Sequence, residues 1–168
     1  KWSKALLNML GNATAAILDM PVPQVFADRR LEALERRAFL EALAVMDHLG
    51  IRPVNLPRNP AATLALAMRW MPSGLLDPAL RRLVAGGRGG KPPSLQIELA
   101  RGNARSEGEF LYGAVARAAL EAGLKAPVNS ALWEILHAIA CGDVAWDEYR
   151  GKPDRLLEAV SRQSPVAS

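Results

Sequence analysis

Apolar positions recur at helical spacing along most of the chain. Over residues 2–19, Leu6, Leu7, Leu10, Ala13, Ile17 and Leu18 stand three and four apart, which predicts one helix ended by Pro21 and Pro23. A longer amphipathic helix is predicted over 24–49, with Leu31, Leu34, Phe39, Leu43 and Met46 on one side and charges opposite. Gly50 follows it as a natural C′ residue. Asn59 and Pro60 read as N-cap and first position of a helix reaching Met71, and Asp77 and Pro78 as the same pair for a short helix over 77–84. The run 86–93, rich in glycine and proline, reads as an irregular loop. Further helices are predicted over 94–101, 106–122, 128–140 and 154–160, the second opened by a Ser106–Glu109 capping box and closed at Gly123. A frayed tail ends the chain. No strand pattern and no internal repeat is readable, so the expected fold is all-α: a single compact multi-helix domain.

Composition strengthens that reading. Half of the 168 residues are apolar and only 5% are aromatic. Alanine and leucine, the best helix formers, dominate, while the β-branched and aromatic residues that fill sheets are scarce. The net charge is +4, yet 21 basic residues are interleaved with 17 acidic ones, as in Asp28-Arg29-Arg30 and Glu35-Arg36-Arg37. Mixed signs of this kind mark solvated helix faces, whereas nucleic acid is met by a one-signed patch. No nucleic-acid partner is expected; a mild positive excess suits a small anionic substrate equally well.

The single cysteine, Cys141, excludes an internal disulfide and fits a reducing, cytoplasmic compartment. Its apolar neighbours predict a buried, inert thiol. His48 and His137 stand apart from any cluster with metal spacing, so no metal site is expected. No apolar run is long enough to span a membrane, and Asn8, Asn12 and Asp19 interrupt the one stretch that a signal peptide would need.

Two stretches could carry chemistry. Lys4, Asn8 and Asn12 follow one another at i, i+4 and i+8, a drift of only about 40° per step around a helix, so a continuous helix would align them. Two asparagines and a lone lysine among leucines and alanines look like a cleft lining; a solvated stripe with one structural asparagine is the alternative. The glycine run 86–90 ahead of a helix could cradle a phosphate, but it follows no strand and lacks a G-K-[ST] ending, which favours a connector. Ser94 reads as an N-cap as readily as a ligand, and Glu107 sits where a helix dipole favours a carboxylate anyway.

Taken in order, several segments resemble one family. Trp2-Ser3-Lys4 through Asn8 to Asn12 is similar to the W-x-K-x-x-x-N-x-x-x-N helix that opens the C-terminal domain of ketopantoate (2-dehydropantoate) reductases. Lys91-Pro92-Pro93-Ser94-Leu95-Gln96 resembles that family's K-x-S-M-L-Q-D. Arg101-Gly102, Ser106-Glu107 and Leu111-Tyr112-Gly113-Ala114-Val115 resemble its G-R…[ST]-E-[IV]-[DE]-x-[LI]-N-G-A-V. Gly123-Leu124-Lys125-Ala126-Pro127-Val128-Asn129 resembles its G-[IV]-x-[TA]-P-x-N. The likeness runs from Trp2 to about Leu136. Departures are Tyr112 for the usual asparagine, Gly108 for a β-branched residue, Ile97 for the aspartate after Gln96, and a slightly longer interval from Gln96 to Glu107.

The resemblance implies a helical domain like the C-terminal domain of 6-phosphogluconate dehydrogenase relatives, working beside an N-terminal Rossmann domain that binds NADPH and is missing from this chain. It implies a small 2-keto acid substrate, reduced in pantothenate biosynthesis. Lys4 would be the general acid that protonates the ketone oxygen, Glu107 would orient Lys4 and the substrate hydroxyl, and Asn8, Asn12 and Ser94 would hold the substrate. A ketone oxygen gaining negative charge needs a proton donor, and lysine serves when burial draws its pKa toward neutrality. Alone, the chain is expected to be inactive. The competing reading is a non-catalytic helical module for homodimerisation or partner binding, exploiting its alanine-rich faces.

Overall fold

The computed structural model describes residues 1–57, 60–87, 93–101 and 107–163. Asn59, the glycines at 89 and 90, Ser106 and the tail beyond 163 lie outside the described residues, so the readings placed on them stay as expectations.

The fold is all-α, and no β-strand occurs among the described residues. The described residues form ten α-helices in order: α1 (Trp2–Met9), α2 (Asn12–Leu18), α3 (Val22–Ala27), α4 (Arg29–His48), α5 (Ala61–Trp70), α6 (Ser73–Gly87), α7 (Ser94–Ala100), α8 (Ala114–Glu121), α9 (Pro127–Cys141) and α10 (Pro153–Gln163). A π-helical turn, Glu109–Gly113, runs directly into α8, and a 3₁₀ turn, Trp146–Glu148, precedes α10.

The centre of the molecule is α4. Its buried stripe of Leu31, Leu34, Ala38, Phe39, Ala42, Leu43, Val45 and Met46 packs against α1, α3, α5, α8, α9 and α10. Asp28 caps it, accepting from the Arg30 amide at 2.8 Å. Fully burying the leucine, phenylalanine, valine and methionine side chains of this stripe stabilises by about 1.5–3 kcal/mol each, which is what closes the helices around α4.

The helix boundaries depart from the periodicity where tertiary partners intervene. The segment 2–19 is two helices, because Leu10 turns extended (ψ 111°) and Gly11 takes a left-handed conformation (φ 67°). The segment 24–49 is also two, split at Asp28, and Pro23 sits in the first turn of α3. The helix expected at 77–84 starts earlier, at Ser73. The Leu75 and Leu76 amides bond the Pro72 carbonyl, and Arg36 ties the Met68 and Met71 carbonyls to the Ser73 hydroxyl. Pro78 therefore lies inside α6, and the glycines at 86 and 87 belong to its last turn. Cys141 is exposed, not buried: the inward side of α9 is taken by Ile135, Leu136 and Ile139. Its sulfur lies 3.7 Å from His137 Nε2, which is stacked on Trp133.

Glu41 anchors the start of α9. Its carboxylate accepts from the Val128 and Asn129 amides, both at 3.0 Å, and from Asn129 Nδ2 at 2.7 Å. Burial holds its carboxyl above the usual carboxylate range, and the three donors offset only part of that rise. Glu41→Ala leaves two helix-start amides and a buried side-chain amide without that partner. It should cost roughly 3 kcal/mol in urea unfolding, and a loss below about 0.5 kcal/mol would show that the α9 start is held otherwise.

Candidate functional site

Three of the five candidate residues form one hydrogen-bonded chain. Asn12, only 2% exposed, is the first residue of α2. Its Nδ2 donates to Ser94 Oγ at 3.4 Å, and its Oδ1 accepts from the Leu95 amide at 3.4 Å, at the start of α7. Ser94 Oγ in turn donates to Glu107 Oε2 at 2.6 Å. The Glu107 amide donates to Glu98 Oε2 at 2.8 Å, so a carboxylate from α7 fixes the backbone that presents Glu107. The chain runs from the buried Asn12 to the half-buried Glu107 and the exposed Ser94.

Lys4 and Asn8 are on α1, the first exposed and the second half-buried. Among the described residues neither makes a side-chain hydrogen bond or ion pair, and the Glu107 carboxylate is engaged by Ser94 rather than by Lys4. The break at Gly11 means that Asn12 does not continue the α1 stripe; it opens a new helix. What links the two groups is the π-helical turn, which packs on α1 and begins two residues after Glu107. Together with α1 it walls a cavity of about 220 Å³ lined by Trp2, Ala5, Met9, Phe110 and Val115.

Two residues that the sequence reading did not single out as functional hold the break in place. Glu35, on α4 and 2% exposed, accepts from the Gly11 amide at 2.7 Å and from the Thr14 hydroxyl. Its signal was present: Leu31, Glu35, Ala38 and Ala42 share one helical stripe, so Glu35 falls on the apolar side of α4. Tyr112, from the π-helical turn, donates to the Met9 carbonyl and accepts from the Ala13 amide at 3.0 Å.

The other end of α2 is fixed as firmly. Trp146 Nε1 lies 3.1 and 3.0 Å from the Ala16 and Ile17 carbonyls, and the Gly151 amide bonds the Leu18 carbonyl at 2.8 Å. Asp19 accepts from Gln96 and, at 2.7 Å, from the Arg150 guanidinium. Those two hydrogen bonds hold the Asp19 carboxyl below the usual carboxylate range. The clamp joins the C-terminal end of α2 to the first turn of α7, so the helices that carry Asn12 and Ser94 are tied together at a second point. Among the described residues no cluster could hold a metal ion, and no helix is long and apolar enough to cross a membrane.

The molecule is thus a helical domain in which Asn12, Ser94 and Glu107 form one polar chain joining the start of α2, the start of α7 and the segment that leads into the π-helical turn. The chain belongs to the ketopantoate reductase family: residues 1–140 match the family described as ketopantoate reductase PanE/ApbA C terminal. The 3₁₀ turn, Arg150 and α10 lie beyond the matched residues. No curated protein and no solved structure matches the chain.

Proposed function

We propose that this chain is the substrate-binding and catalytic domain of an NADPH-dependent reductase that converts a 2-keto acid, such as ketopantoate, to the 2-hydroxy acid in the cytoplasm. The observation that carries the reading is the Asn12–Ser94–Glu107 chain in a member of this family, with Lys4 and Asn8 on the adjoining helix. Asn12 and Ser94 offer amide and hydroxyl groups to the substrate's carboxylate and hydroxyl. Neutral groups hold it without competing for the reaction's proton. Lys4 Nζ donates a proton to the ketone oxygen as negative charge develops there, and Glu107 orients the donor and the substrate hydroxyl. Lys4 is exposed on this chain, so desolvation of its ammonium falls to the bound substrate and to a closing nucleotide-binding domain.

The described residues contain no strand leading into a glycine-rich turn and helix, so they do not fit a dinucleotide pyrophosphate. In this reading NADPH supplies the hydride and is held by a Rossmann domain outside this chain. The test is ketopantoate-dependent oxidation of NADPH by the protein carrying both domains. Saturable turnover supports the reading, and a folded two-domain protein with no turnover on ketopantoate or related 2-keto acids would overturn it. The isolated chain should show no calorimetric binding of NADPH at micromolar concentration.

A second reading, a non-catalytic dimerisation module, draws on one surface feature. Leu66 and Trp70, four residues apart on α5, are 62% and 80% exposed, and Leu75 is 68% exposed. A sedimentation dimer without reductase activity would favour it.

A further inference from the structure

We infer that Tyr112 is a positioning residue whose hydroxyl, inserted into the backbone between α1 and α2, sets the angle between the helix bearing Lys4 and Asn8 and the helix bearing Asn12. In an unbroken helix the Ala13 amide would bond the Met9 carbonyl, four residues back. Here Leu10 and Gly11 leave the helical conformation, and both groups are parted and buried. A hydroxyl can donate and accept at once. The Tyr112 hydroxyl does both, donating to Met9 and accepting from Ala13, so a single oxygen completes the hydrogen bond that the break opened. A side chain inserted into the i→i−4 ladder in this way is a recognised cause of a sharp helix kink.

The inserted group comes from the segment that also carries Glu107. Tyr112 is wholly buried in the π-helical turn, five residues beyond Glu107, and that turn packs on α1. One element therefore presents Glu107 and wedges the joint between the Lys4 helix and the Asn12 helix. Glu35 secures the same joint from the opposite partner, α4, through the Gly11 amide and the Thr14 hydroxyl. Phenylalanine at 112 would keep the ring and its packing and remove only the oxygen. The Met9 carbonyl and the Ala13 amide would then close on each other or admit water, and either change alters the helix angle.

The inference rests on the proposed reductase reading only for its kinetic consequence, so the test has two arms. In the first, a crystal structure of Tyr112→Phe is expected to show α1 rotated against α2, with α2, α4 and α7 superposing on the unaltered protein; an unchanged α1–α2 angle overturns the inference, whatever the enzyme does. In the second, the two-domain protein carrying Tyr112→Phe is assayed at a temperature where it is fully folded. Its kcat/KM for ketopantoate is expected to fall by about 10- to 100-fold, the size of effect that a sub-ångström to 1 Å misplacement produces, while KM for NADPH stays unchanged. A purely structural role would lower Tm and leave kcat/KM of the folded enzyme intact, which overturns the positioning role. If the unaltered enzyme does not turn over ketopantoate, the reductase reading fails and the structural arm alone decides the joint. Should Tyr112→Phe not fold, amide exchange on the unaltered protein decides: Ala13 protected as strongly as the α4 core supports the inserted hydroxyl, and exchange at the rate of an exposed amide overturns it.

Discussion

Gly11→Ala should destabilise the protein by about 2–5 kcal/mol, a large share of the total stability of a domain this size. Two separate penalties add. A φ of 67° places an L-residue in the left-handed region, at a cost of about 1–2 kcal/mol. A Cβ at this position would also lie 2.5 Å from Val22 Cγ1 and 3.0 Å from Phe26 Cε2, in a wall of α3 that is itself buried, so overpacking adds about 1–3 kcal/mol. Gly50 separates the two. It has nearly the same φ, 68°, but nothing within 4 Å of its would-be Cβ. Gly50→Ala should therefore cost only about 1–2 kcal/mol. Urea unfolding of both variants checks the pair: equal small losses would mean that α3 does not close on the α1–α2 joint as described.

That joint shows where sequence reasoning stops. Residues 2–19 carry an unbroken helical period, and a glycine within such a pattern is ordinarily tolerated. The break becomes necessary only because Glu35, Tyr112 and Val22, all distant in sequence, occupy the space and hydrogen-bonding groups around it. Pro78 tells the same story. Asp77-Pro78 has the chemistry of a helix start, but the Pro72 carbonyl and the Arg36 guanidinium begin α6 five residues sooner. The helical class was legible because it depends on many residues at once; the boundaries were not, because each depends on one or two contacts.

Of the candidate site, Ser94 and Glu107 drew attention through the likeness of their segments to the family pattern, since each has an ordinary capping explanation. The structure gives them a shared partner chain leading to Asn12. Tyr112 was legible only as a departure from the pattern, and its consequence needed the geometry of Met9 and Ala13. Glu35 was masked by its charged neighbours Arg36 and Arg37, which suggested a solvated face, although its position on the stripe of Leu31 and Ala38 places it inward. The part played by Trp146, Arg150 and Gly151 in closing the far end of α2 had no local signal at all: a tryptophan near a chain's end reads equally well as core or surface.

If the chain works as the proposed reductase domain, Lys4→Ala should lower kcat of the protein carrying both domains by about 10² to 10⁴, the usual consequence of losing a general acid. The structure makes this a clean experiment. Lys4 is exposed and, among the described residues, its side chain makes no hydrogen bond or ion pair, so its truncation should change unfolding free energy by no more than about 0.5 kcal/mol. Any loss of turnover is then a loss of chemistry and not of fold. Lys4→Arg should not restore the rate, because a guanidinium holds its proton too tightly to act as the acid and presents it in a different geometry. Asn12→Ala supplies the contrast. Asn12 is buried and bonded to Ser94 and the Leu95 amide, so it should act mainly on KM, removing binding that substrate and transition state share, and it should also cost about 1–2 kcal/mol of stability. Steady-state kinetics with ketopantoate distinguishes the two signatures. Near-normal kcat in Lys4→Ala would end the case for Lys4 as proton donor, even with the fold and the Asn12–Ser94–Glu107 chain intact.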